Sequence, residues 1–125
     1  MHAILALLLA AAIQVTTVVW KDAPPTMPKG TKMAVLEGNP QSPGIFTLRL
    51  KVPAGAKLAP HIHPNAERVT VLSGKVVVTI NGKSTTFTTG SFYVNPPNEV
   101  HSVAFPQESV LQLTCEGPWK LRYVN

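Results

Sequence analysis

The stretch GAKLAPHIHPNAERVTVLSG, Gly55 to Gly74, places His61 and His63 one residue apart and Glu67 four residues beyond the second. The whole chain contains only four histidines. On an extended segment, side chains at i and i+2 project to the same face, roughly 6.5–7 Å apart along the backbone. Two imidazoles so placed can tilt toward one ion. Pro60 and Pro64 bracket the pair and stiffen it. Glu67 follows the tight segment Pro64–Ala66 and opens an apolar alternation, so its carboxylate can turn back toward the same point. Either these groups converge on a metal or the spacing is an accident of a surface loop. Imidazole with carboxylate suits Fe, Mn, Ni, Co or Zn in the divalent state.

Working outward, the chain reads as about ten short strands separated by turn signals. In GIFTLRLKV, Phe46, Leu48 and Leu50 alternate with Thr47, Arg49 and Lys51, the period of two of a half-buried strand. IQVTTVVW (Ile13–Trp20), TKMAVLEG, ERVTVLSG, KVVVTING, STTFTTG, SFYVNPPNEV, HSVAF, SVLQLTCEG and WKLRYV continue the series. ERVTVLSG and KVVVTING are expected to form a hairpin, and Asn81-Gly82 carries the two-residue turn signal into the strand after it. No helix-period segment appears after residue 13. Twelve prolines and eight glycines in 125 residues favour many corners and disfavour long helices. The length suits one domain.

The formal net charge is +5, but the lysines are dispersed and no basic cluster is interleaved with aromatics, which argues against nucleic-acid binding. Cys115 is the only cysteine, so no internal disulfide can form, and it reads as a small buried hydrophobe. The uncharged apolar run AILALLLAAAI at residues 3–13 is too short to span a bilayer, which needs about 20 such residues. Its length and the small residues Ala10–Ala12 fit a signal peptide cleaved after Ala12, giving residues 1–12 as leader and 13–125 as the domain. The expected location is periplasmic or secreted. The alternative is a cytoplasmic protein whose first element packs on the domain.

The stretch from Gly55 to Gly74 resembles the first motif of the cupin superfamily, Gly-x5-His-x-His-x3-Glu-x6-Gly, at every fixed position. The second motif, Gly-x5-Pro-x-Gly-x2-His-x3-Asn, is matched by Gly90, Pro96 and His101 in GSFYVNPPNEVHSVAF. Asn98 stands where the motif has glycine, and it tolerates positive φ better than other residues with a side chain. Phe105 stands in place of the final asparagine and makes the pocket more apolar. The resemblance covers about residues 30–125, and the layout is similar to small single-domain bacterial cupins. It implies an all-β, cupin-type conical β-barrel (a double-stranded β-helix, or RmlC-like jelly roll). It implies one divalent transition-metal ion per chain held by His61, His63, Glu67 and His101.

Superfamily members with such a set include dioxygenases, oxalate-degrading enzymes, isomerases and storage proteins, and the fold does not choose among them. The leading expectation is a dioxygenase-like oxidoreductase acting on a small organic molecule. In it Glu67 is both a ligand and the group that detaches to accept a proton. The alternatives are a metal-dependent isomerase, lyase or decarboxylase, and a non-catalytic small-molecule binder. Trp119 and Trp20 are expected to seal the barrel's bottom. Phe105, four residues after His101, is expected to wall the pocket, and Tyr93 is the one further acid–base candidate, though a structural hydroxyl is the simpler reading. A homodimer is expected, on the ground that QVTTVVW would form an apolar edge strand needing cover.

Overall fold

Residues Gly44–Val52 bury Phe46, Leu48, Leu50 and Val52 and turn Thr47, Arg49 and Lys51 outward, the alternation their sequence dictates. The computed structural model describes Ala12 and residues 14–124, and among these it contains strands and no helix. The strands are β1 (Lys21–Asp22), β2 (Lys32–Glu37), β3 (Gly44–Val52), β4 (Lys57–Ile62), β5 (Glu67–Ser73), β6 (Lys75–Ile80), β7 (Lys83–Thr88), β8 (Phe92–Asn95), β9 (His101–Ala104), β10 (Ser109–Gly117) and β11 (Arg122–Tyr123). Every pairing is antiparallel. One sheet has the order β1-β2-β3-β10-β5-β8 and the other β11-β4-β9-β6-β7. This is a jelly roll, the architecture that the resemblance to cupins implies. No helix among the described residues is long and apolar enough to cross a membrane.

The two sheets face each other across one core. Phe46, Leu48 and Val52 from β3, Val69 and Val71 from β5, Val76 and Val78 from β6, and Leu111 and Leu113 from β10 form it. On the opposite face of the larger sheet, Arg49 Nε donates to Gln112 Oε1 at 2.9 Å, and the hydroxyls of Thr47 and Thr114 bond at 2.9 Å. Gln112 and Thr114 are thereby assigned to the outer face, and Leu111 and Leu113 to the interior.

Two expectations about the strands fail. ERVTVLSG and KVVVTING do not form a hairpin: β5 lies between β10 and β8, whereas β6 lies between β9 and β7 in the other sheet. A single residue, Gly74, connects them at φ 97°. A Cβ there would collide with Ser109 Oγ and the Glu108 carbonyl. Ser109, fully buried, pins the corner by accepting from the Lys75 amide at 3.1 Å. The chain turns a corner from sheet to sheet because it has no residues with which to reverse. The real hairpin joins β6 to β7 through Asn81-Gly82, both at positive φ (51° and 75°), with Ile80 opposite Lys83.

The second failure is Ile13–Trp20. Residues 14–20 form no strand, Val15 and Val19 are exposed, and pairing begins only at Lys21. β-branched composition favours a strand only where a partner and a surface to pack on are present. The dimer expectation rested on that strand and loses its basis in it. The leader-like run and the boundary at residues 12 and 13 lie, Ala12 apart, outside the described residues.

Candidate metal centre

β4 and β9 pair with His61 directly opposite His101. Two residues on, just past the end of β4, His63 returns to the same face, as the i, i+2 spacing requires. All three side chains are buried. Ring centroids lie 4.2 Å apart for His61–His101, 5.0 Å for His61–His63 and 5.3 Å for His63–His101. One ring nitrogen from each falls within 4.8 Å of the others, a set that could hold a metal ion.

The tautomers follow from the backbone. His61 Nδ1 donates to the Ala59 carbonyl at 2.7 Å, His63 Nδ1 to the Lys120 carbonyl at 2.7 Å, and His101 Nδ1 to the Glu99 carbonyl at 3.0 Å. A carbonyl only accepts, so each Nδ1 carries a hydrogen, and in the neutral ring each Nε2 keeps its lone pair, directed away from the backbone. This is how metal-ligating histidines are oriented. Burial, reinforced by the neighbouring imidazoles, pushes His61 down to about 4. Burial also holds His101 below its ordinary value. Both rings are therefore neutral at neutral pH, the state a metal needs.

Glu67 comes from the facing sheet. It opens β5, is buried, and sits 3.2 Å from His63 Nε2 through Oε1. β5–β8 pairing puts Asn95 directly opposite, and Asn95 Nδ2 donates to Glu67 Oε1 at 3.1 Å. Trp119 Nε1 donates to Oε2 at 2.8 Å. The carboxylate thus stands beside the histidine trio, in contact with one member and held from both sides. Of the four expected ligands, three form one set and the fourth adjoins it.

Trp119 does not seal the bottom of the barrel. It lines the cavity beside the three histidines and Glu67 and packs against Phe46 at 6.4 Å. It reaches the site because the segment after β10 folds back over it: Lys120 supplies the carbonyl for His63, and β11 pairs Tyr123 with His61. Asn95 had no signal of its own in the sequence, since its role depends on a register that only the paired strands reveal. Asn98 adopts φ 61°, as the substitution for glycine requires, and its amide donates to the His63 carbonyl at 2.8 Å, tying the two motifs together. Phe105 is buried and walls the cavity as expected. Tyr93 lines it too; burial and the Glu67 charge push its phenol up, so the hydroxyl keeps its proton. Cys115 is buried, and burial pushes its thiol up to about 12, which makes it inert.

Solved structures with this fold include the polyketide cyclase RemF from Streptomyces resistomycificus (17% identity, TM-score 0.76, covering 94% of this chain and 87% of that one). An acetylacetone dioxygenase from Acinetobacter johnsonii is similar at 21% identity and TM-score 0.70, covering 93% and 80%. An RmlC-like cupin from Shewanella frigidimarina is similar at 19% identity and TM-score 0.68, covering 86% and 91%. At these identities the likeness concerns the fold. No curated protein matches the chain in sequence. The ChrR cupin-like domain matches residues 9–120, most of the sequence and both histidine motifs, and the chain belongs to that cupin family.

Proposed function

We propose that the protein is a metal-dependent enzyme acting on a small organic molecule, with dioxygenase-like chemistry. His61, His63 and His101 would hold one divalent transition-metal ion, and Glu67 would complete the set with an oxygen. The observation that carries this reading is the direction of the lone pairs. Three Nε2 acceptors and one carboxylate gather in a buried space, and the backbone carbonyls have already taken the hydrogen of every ring. Lone pairs of nitrogen and oxygen gathered in this way offer a seat to a cation.

The bound ion would supply Lewis-acid activation and sites at which a substrate oxygen and O2 can meet. The chain's own residues have other tasks. Leu50, Leu58, Val103 and Phe105 give the site apolar walls. Asn95 and Trp119 hold the Glu67 carboxylate in place, and a carboxylate is the group able to accept a proton there. The acetylacetone dioxygenase among the structures of this fold supports the oxidative reading. A non-oxidative isomerase, lyase or decarboxylase is favoured by one observation: Tyr93, a phenol that keeps its proton, lines the same cavity as Glu67.

Elemental analysis of untagged protein, followed by O2-uptake assays of the Fe(II)-loaded enzyme with 1,3-diketones, flavonols and catechols, tests the proposal. Metal at about one equivalent and O2 consumption with one class are expected. Metal binding without O2 consumption would transfer the protein to the non-oxidative class. Failure to bind any of the five metals would remove the metal reading altogether.

A further inference from the structure

The cavity among the histidines holds about 30 Å³, room for an ion and a water or two but not for an organic molecule. A groove of about 290 Å³ adjoins it and shares two walls, Tyr93 and Asn95. The groove lies at the seam where β7 and β8, the last strands of their respective sheets, leave each other unpaired. At one point Phe87 of β7 stacks on Tyr93 of β8 across the seam, 4.3 Å between centroids.

Beyond this pair, Val78, Ile80 and Val94 give the groove an apolar lining. The β6–β7 register sets Lys83 opposite Ile80 and Thr85 opposite Val78, so an exposed ammonium and a hydroxyl stand on the rim of that lining. Lys83 is the one charged residue among the described residues that line it. At the inner end Asn95 gives its NH2 to Glu67, and its buried Oδ1 has no partner.

We propose that this seam groove binds a small amphipathic anion. Its apolar body lies along Val78, Ile80 and Val94, its anionic group meets Lys83, and its inner end points past Tyr93 and Asn95 toward the histidines. The proposal names the substrate class of the metal enzyme inferred above, and rests on that reading for the step from binding to turnover. Binding itself is independent of the metal.

The test uses two probes on the metal-free protein: anilinonaphthalene sulfonate, an aromatic body with one anionic group, and the neutral N-phenyl-1-naphthylamine. Fluorescence titration at low salt is expected to show the sulfonate binding about two- to five-fold more tightly, the range of one solvent-exposed ion pair. Lys83→Gln removes that preference and leaves the neutral probe unchanged, and about 0.5 M NaCl does the same. Thr85→Trp, at an exposed position that can fill the groove without disturbing the core, weakens both probes about ten-fold or more. Lys57→Gln, outside the groove, changes neither. An unchanged preference in Lys83→Gln, an equal loss in Lys57→Gln, or undiminished binding in Thr85→Trp overturns the proposal. None of these results touches the metal reading, which fails separately if metal leaves the melting temperature unchanged.

Discussion

Trp119→Phe isolates one hydrogen bond at the centre of the site. The indole donates to Glu67 Oε2 at 2.8 Å, and Glu67 is 5% exposed. Phenylalanine keeps an aromatic ring beside Phe46 and deletes the N–H. A hydrogen bond to a charged partner contributes about 1.5–3 kcal/mol, and no solvent reaches Oε2 readily to replace it. At about 4 °C per kcal/mol for a domain of this size, the melting temperature of the metal-free protein should fall by about 6–12 °C. In urea, with a slope of about 1.5 kcal/mol/M, the midpoint should fall by about 1–2 M. Lost packing alone lowers it as well, so the same change is made in a Glu67→Leu background, which has no acceptor for the N–H. If the N–H acts through the carboxylate, the two substitutions couple by about 1 kcal/mol or more. A single-variant loss below about 0.5 kcal/mol, or additive losses in the double variant, would show that the Trp119–Glu67 bond does not hold the site.

Other outcomes follow from the same geometry. A metal present at a hundred times its dissociation constant should stabilise the wild-type protein by about 2.7 kcal/mol, and His101→Ala should abolish the associated rise in melting temperature; a variant that retains it refutes the three-histidine site. His61 titrates near 4 in the folded protein against 6.5 in the unfolded chain, so the unfolded chain takes up the proton first as pH falls. Stability of the metal-free protein is therefore full above about pH 6.5 and declines toward pH 4; a urea midpoint at pH 4.5 no lower than at pH 7.5 contradicts this, and His61→Gln should flatten the decline. Gly74→Ala forces a side chain into a positive-φ corner already occupied by Ser109 and should destabilise by at least about 2 kcal/mol in chemical denaturation; a neutral result removes the account of that corner.

The strands and the histidines were legible because their signals are local. Alternation in β3 and β10, the Asn81-Gly82 turn and the His-x-His spacing all act within a few residues, and the structure follows them. What failed depended on partners distant in sequence. ERVTVLSG and KVVVTING look like two arms of a hairpin until β10 and β9 claim them for different sheets. Residues 14–20 have strand composition and no ladder. Trp119 reaches Glu67 across 52 residues by the path of the segment after β10, and Asn95 reaches it across 28 by the β5–β8 register, neither of which composition encodes.

The three rings at the centre are oriented by main-chain carbonyls of residues 59, 99 and 120, and no substitution can delete a carbonyl. Their aim is therefore insulated from mutation so long as the strands keep their paths. Glu67 is different, because both groups that hold it are side chains. Drift at Asn95 or Trp119 would free the carboxylate while the imidazoles stayed in place. The scaffold thus separates three imidazoles aimed by the main chain from a carboxylate whose position is decided by two replaceable side chains.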